Sequence, residues 1–385
     1  MKRIILKIVH GILYIFYVIL FCVLFPISNL IYSRKKVWII TERGYDARDN
    51  GFHLFKYLKT NHPEINCYYT INKKSSDYKN VKQFKNVISH GSLKHIFLFS
   101  CAKAKISTTA NGFAPNKYYA KLMLKHHLQG INVGLKHGIF KNIHPNYFKE
   151  NSHLDLLICG AEPEYEFVKS SFGFNKGEVA YCGLARFDNL HGGVLKNQIL
   201  VMPTFRNYLS DLNDDEFIKT NYFKKWDELL KKLDNKYAKE IDVVFYIHAV
   251  FQKYAKLFEN RYENITIAKF QNNDVQHLLI ESKLLITDYS SIFFDFAYMR
   301  KPSVFYQFDE EEYYAKHYER AYFDYRRDGF GDVCTNSEMV LDSVDLIFEN
   351  SFALNKNYLR AVEHFFPLFD NKNCERIYER ILSKL

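Results

Sequence analysis

Hydrophobic and polar positions divide the chain into one apolar block followed by two alternating series. The block, GILYIFYVILFCVLFPISNLIY, has Lys2, Arg3 and Lys7 before it and Arg34, Lys35 and Lys36 after it. Its length suits one helix crossing a bilayer or one lying in the interface of an anionic leaflet. A buried core helix is the third possibility. Pro26 and Asn29 weaken its last turns. No small-residue cleavage site follows, so removal as a signal peptide is not expected. Basic flanks on both sides leave its orientation open.

From Lys35 onward, short β-branched runs alternate with stretches of helical spacing. KKVWIITERG, INCYYTIN, AKISTTA, INVGLKHG, LDLLICGA and EVAYCGLARFD predict strands that run into polar loops. Between them, DNGFHLFKYLKTNHP, SLKHIFLFSCAKA and EPEYEFVKSSFGF predict helices. A second series begins at QILVMPTFR and continues through IDVVFYIHAV, ITIAKF, KLLITDYSS and PSVFYQF, with helices between. Strands alternating with helices imply parallel sheets with crossover helices. Two series in tandem predict an α/β protein of two Rossmann-like domains facing a cleft. The expected division is a membrane-associated helix over residues 1–34, a first domain over 35–190 and a second over 191–385.

Open α/β sheets bind ligands beyond the carboxyl ends of their strands. The residues just after the predicted strands therefore bear the chemistry: Glu42–Arg43, Lys136–His137–Gly138, Arg186 with Asp188, Thr204 with Arg206, His248, and Asp288 with Ser290 and Ser291. His137 beside a glycine is a candidate general base, because an imidazole titrates near working pH. His248 is a candidate phosphate holder or acid. Ser290 and Ser291 stand where a strand gives way to a helix, so their hydroxyls and the free amides there would cradle an anion; Asp288 or Ser290 as a simple helix cap is the alternative.

Composition narrows the partners. The formal net charge is +10, which favours anionic partners. The lysines are scattered and no zinc-finger or RNA-binding signature occurs, so nucleic acid is not expected. The seven cysteines are odd in number and widely spaced without CxxC, which argues for buried thiols rather than disulfides or a thiolate metal site. The absence of HxH, HExxH, a strand-borne GxGxxG and a P-loop lysine motif leaves no metal and no cofactor to expect. No GxSxG elbow points to a hydrolase triad.

In order along the chain, roughly from Lys35 to Val333, these segments resemble the CDP-glycerol glycerophosphotransferase family of teichoic-acid primases and polymerases. VWIITERGYDARDNGFHLFKYL is similar to a segment of many members, and LKHGIFKNI stands where the family has Trp-His-Gly. GLARFDNL matches Gly-x-Pro-Arg-x-Asp with Ala185 in place of proline, and ILVMPTFRN matches a strand ending in Pro-Thr-Trp-Arg. FYIHAVF occupies the place of a second histidine motif, and LLITDYSSIFFDFAYMRKPSVFYQFDEEEY matches the most specific block almost throughout.

The resemblance implies a GT-B-like fold and transfer of an alditol phosphate from CDP-glycerol or CDP-ribitol to a lipid-linked or polyol-phosphate acceptor. CMP would be released, at the cytoplasmic face of the cell membrane, in making teichoic acid or a capsule-type polymer. It implies His137 as the base, with Asp155 orienting it although Leu154 replaces the usual tryptophan. It further implies His248, Ser290, Ser291, Arg206 and Asp288 as the donor site, with Asp288 and Asp295 fixing the turn. Lys136 in place of tryptophan would change the wall beside the base. The lack of a long extension favours a single-transfer or short-chain enzyme. A GT-B glycosyltransferase using a nucleotide sugar is the alternative.

Overall fold

The computed structural model describes residues 2–32, 35–125, 128–237, 239–317 and 319–385. The chain forms two units. The first comprises Met1–Ile139, His144–Asn189 and Asp370–Leu385; the second comprises Phe140–Ile143 and Leu190–Phe369.

The first unit is built on a seven-stranded, all-parallel sheet: β1 (Trp38–Thr41), β2 (Cys67–Ile71), β3 (Val87–Ser89), β4 (Ala104–Ser107), β5 (Ile131–Gly134), β6 (Leu156–Cys159) and β7 (Val179–Tyr181). Their order is β3-β2-β1-β4-β5-β6-β7. In the central strand β1, Trp38, Ile39, Ile40 and Thr41 are all buried, as a parallel strand covered on both faces requires. The order reverses between β1 and β4, which opens a crevice at their carboxyl ends.

The helix Asn373–Leu382 belongs to this unit and not to the second, where the sequence places it. Cys374, Ile377 and Ile381 join Trp38, Ile40 and Leu54 in one hydrophobic cluster, so burial decides its position. Asp188 fixes the start of this helix by accepting from the amides of Asn373 (2.7 Å) and Cys374 (2.8 Å). Gly183, at φ +81°, packs so tightly on Asn373 that a Cβ would lie 1.7 Å from its side-chain oxygen.

The second unit has a six-stranded, all-parallel sheet: β8 (Gln198–Met202), β9 (Asp242–Phe245), β10 (Ile265–Ile267), β11 (Leu284–Thr287), β12 (Ser303–Tyr306) and β13 (Gly331–Cys334). Its order, β10-β9-β8-β11-β12-β13, reverses between β8 and β11. The helix Asn221–Lys236 buries Trp226, Leu229, Leu230 and Leu233 against this sheet. After β11 the chain makes a turn through Tyr289–Ile292 before a short helix, Phe293–Tyr298, so the helix starts later than the apolar run suggests.

The apolar block forms one helix, Lys2–Tyr32, long and apolar enough to cross a membrane. It packs on the helices Leu93–Cys101 and Lys117–Lys125 of the first unit.

Candidate active site

In the first unit, His137 follows β5 on a loop pinned at Lys136 and His137. Lys136 adopts a left-handed backbone (φ 59°), which turns its own side chain inward and that of His137 outward. The Lys136 ammonium pairs with Glu164, both fully buried, and Glu164 also accepts from the Gly160 amide at 2.7 Å. The Lys136 carbonyl accepts from Asn50 Nδ2 at 2.9 Å. The His137 carbonyl accepts from Arg186 Nη1 at 2.5 Å. The imidazole is 68% exposed, with Nδ1 on the Asp49 carboxylate at 2.5 Å. A carboxylate only accepts, so Nδ1 carries the proton and Nε2 presents a lone pair outward.

Asp49 lies in the loop after β1, where Arg186 also binds it at 2.9 Å. Burial alone would raise its pKa, but His137 and Arg186 outweigh burial and hold it down to about 2. Seven residues earlier, Glu42 is pushed the other way. Burial and the Asp49 charge raise it to about 8, although it accepts from the amides of Asp49 (3.0 Å), Phe52 (2.9 Å) and Arg48 (3.3 Å). One carboxyl of the pair therefore holds a proton at neutral pH, and the one against His137 stays ionised.

In the second unit, the residues after β8 and β11 meet at the order reversal. Arg206 is fully buried and binds Asp288 (2.9 Å) and both oxygens of Asp309 (2.8 and 3.0 Å). The rings of Tyr222, Tyr289 and Tyr313 lie 4.9–5.2 Å from its guanidinium. Asp288 also accepts from the amides of Thr204 (2.8 Å) and Tyr289 (2.6 Å). The carboxylate planted between two apolar runs thus ties the ends of β8 and β11 together.

Beside this knot, His248 stacks on Phe205 with centroids 4.5 Å apart and planes at 27°. Its Nδ1 accepts from the Val250 amide at 3.2 Å, which places the proton of the neutral ring on Nε2. His248 is thereby set as a donor, where His137 is set as an acceptor. His317 lies edge-on to the same Phe205, and burial, with Arg206, Lys141 and His248 nearby, pushes it down to about 4. Lys141 is buried and pushed down to about 7, chiefly by burial. Ser290 and Ser291 are half-buried in the turn after β11, and the Ile292 amide donates to Ser290 Oγ at 3.4 Å.

Three residues stand elsewhere than the sequence suggests. Asp155 lies just before β6, at the amino end of the sheet, and accepts from the Asn132 amide at 2.8 Å. His137 is at the carboxyl end, and the structure does not bring the two together. Arg206 is neutralised by two carboxylates inside the protein, so its charge is already committed. Lys136 has no exposed surface and forms no wall beside the base. Among the described residues, no group of three or more His, Cys, Asp or Glu is placed to hold a metal ion. Two surface cavities, of about 690 and 450 Å³, are lined by none of these residues.

The profile of the CDP-Glycerol:Poly(glycerophosphate) glycerophosphotransferase family matches residues 24–383. The chain belongs to this family. It is 31% identical over 368 residues to the "Minor teichoic acid biosynthesis protein GgaB" of Bacillus subtilis (strain 168), covering 92% of this chain and 40% of that protein. It is 25% identical over 386 residues to a "Teichoic acid poly(glycerol phosphate) polymerase" of the same organism, covering 92% of this chain and 50% of that one. The chain thus spans half or less of the length of these two relatives. Its fold is similar to that of the wall teichoic acid polymerase TagF, with a TM-score of 0.68 at 18% identity over 97% of this chain and 98% of that chain.

Within this family member, the sequence points to the loop after β1 through Glu42 and to Arg186 after β7, but not to Asp49, Asn50, Asp309, His317 or Phe205. The available signal is the run ERGYDARDNG, in which carboxylates and arginines crowd a loop between a strand and an Asn-Gly helix start. Asp309, the second residue of FDEEEY, comes three residues after β12 and follows the same after-strand rule.

Proposed function

We propose that this protein transfers glycerol phosphate or ribitol phosphate from its CDP-activated form to a hydroxyl of a lipid-linked or polyol-phosphate acceptor. CMP is released. The reaction takes place at the cytoplasmic face of the cell membrane and builds a teichoic acid or capsule-type polymer. The observation that carries this reading is the Asp49–His137 pair, an outward Nε2 lone pair backed by a carboxylate that stays ionised. Family membership and the names of the relatives support the choice of donor.

His137 Nε2 takes the proton of the acceptor hydroxyl as its oxygen attacks the β-phosphorus of the donor. The bond from that phosphorus to the bridging oxygen breaks, and CMP leaves with the bridging oxygen. The diphosphate already makes CMP a good leaving group, so positioning and charge neutralisation complete the catalysis. His248 through Nε2–H and the Ser290 and Ser291 hydroxyls hold the diphosphate. Asp49 orients the base and stabilises the imidazolium that forms.

The test is CMP release by the full chain given CDP-glycerol or CDP-ribitol with a lipid-linked acceptor, alongside His137→Ala. CMP should appear with at least one donor and fall to background in the variant. Release of UDP from a UDP-sugar, with neither CDP-alditol consumed, would replace this reading by a glycosyltransferase.

A further inference from the structure

Among the described residues, five lysines and arginines are buried: Lys105, Lys136, Lys141, Arg186 and Arg206. Four of them have polar partners that explain their burial. Lys136 pairs with Glu164, Arg186 with Asp49, and Arg206 with Asp288 and Asp309, while Lys105 donates to the Gln129 carbonyl. Lys141 is the exception. It is 5% exposed, and among the described residues its ammonium has neither a carboxylate at ion-pair distance nor a hydrogen-bond acceptor. Its neighbour is the ring of Tyr325, whose centroid lies 5.6 Å from Nζ. A buried ammonium needs a counter-charge from another group or gives up its proton. Burial indeed loosens this proton to about 7, against the pull of Asp288.

Lys141 stands in Phe140–Ile143, a short stretch that belongs to the second unit while the chain on either side of it belongs to the first. A bridge between Asn142 and Arg320 holds the stretch there. Three observations put its ammonium at the order reversal between β8 and β11. The charges that act on it are those of Asp288 and Arg206, which knot the ends of these strands. Its own charge is among those that hold His317 down, and His317 lies edge-on to the Phe205 ring on which His248 stacks. Thr204, whose amide donates to Asp288, keeps a buried hydroxyl with no partner among the described residues. Two buried donors without acceptors thus border the same knot, and buried donors of this kind call for an acceptor from outside the chain.

The geometry points to Lys141 as a further donor-binding residue, its ammonium meeting the diphosphate of the nucleotide-activated donor in the second unit. This rests on the donor site proposed above. Lys141 supplies the positive charge that Arg206, already neutralised by Asp288 and Asp309, cannot. The ammonium forms no bond in the transfer. As a compact point charge with rotatable donors, it follows the negative charge as that charge shifts onto the departing bridging oxygen.

Lys141→Met keeps the apolar stem and removes the charge. Calorimetry on the full chain would give the Kd for CDP, and for UDP in parallel, with Tm read in the absence of nucleotide. Lys141→Met should weaken CDP binding about 10- to 100-fold, the worth of one charge-assisted hydrogen bond. Its Tm should hold or rise, because no carboxylate loses a partner, whereas Lys136→Met strands Glu164 and should lower Tm. A CDP affinity within about twofold of the parent would overturn the inference. A fall in Tm to match that of Lys136→Met would make the ammonium structural and overturn it equally. Loss of nucleotide affinity in a protein that releases no CMP from either CDP-alditol would keep Lys141 in the site and sink the catalytic reading. CMP release by an enzyme whose CDP affinity ignores Lys141 would do the opposite. A parent chain that binds neither CDP nor UDP would overturn both.

Discussion

Asp49 and His137 lie 88 residues apart in the chain and 2.5 Å apart in space. One comes from the loop after β1 and the other from the loop after β5, so the order of the sheet brings them together. The contact fixes the tautomer on which the proposed chemistry depends. Asp49→Asn would offer Nδ1 a donor instead of an acceptor and move the ring proton to Nε2, where the base must be unprotonated. CMP release should fall on the order of 10² to 10⁴-fold in kcat, with donor KM little changed. Asp49→Glu should recover part of the rate and of the pH profile. An Asp49→Asn enzyme within about twofold of the parent would remove Asp49 from the mechanism.

Glu42 makes stability depend on pH in a defined direction. Its carboxyl is raised from 4.5 to about 8 by burial and by Asp49. Between those values the folded protein binds more protons than the unfolded chain. This contribution is therefore fully present below about pH 4.5 and is lost as pH rises through about 8. Glu42→Gln cannot ionise and should flatten that decline, with a difference of up to about 5 kcal/mol at the alkaline end. Denaturant unfolding at several pH values checks it, and parallel curves for the two proteins would refute it.

Arg206 and His248 should separate stability from binding. Arg206→Met leaves Asp288 and Asp309 buried without their partner and should cost about 3–5 kcal/mol, seen as a large drop in Tm. His248→Ala removes a half-buried ring from the face of Phe205 and should leave Tm nearly unchanged while raising the KM for the CDP-alditol. The reverse pattern would return Arg206 to the donor site.

The two serines should behave alike. Among the described residues, Ser290 Oγ makes one long contact, with the Ile292 amide, so it adds little to the turn. Ser290→Ala and Ser291→Ala should each weaken donor binding about tenfold, the worth of one charge-assisted hydrogen bond, with Tm within a degree or two. Thermal shift with added CDP-glycerol reads both quantities in one experiment.

Much of this architecture was legible in the pattern of the chain. Buried parallel strands such as WIIT and LLIT are continuous apolar runs that stop at a polar residue, and that stop marks the ligand end of the sheet. His137, His248 and Asp288 all followed from it. What escaped was whatever depends on contacts between distant segments. Asp155 and Asp49 are equally plausible partners for His137 until the sheet order assigns one to each end. Arg206 reads as a free cation until Asp309, 103 residues away, is seen to close on it. The strands β3 and β13 were missed because VIS has three residues and GDVC carries little β-branched character.

The helix Asn373–Leu382, capped by Asp188 and seated with Trp38 and Leu54, has a consequence for the order of synthesis. The ribosome makes the first unit's sheet early and supplies this packing element only after all of β8 to β13. The early half must wait with an open apolar flank while the later half is translated and folds. Completion of the first lobe is therefore tied to translation of the whole second sheet.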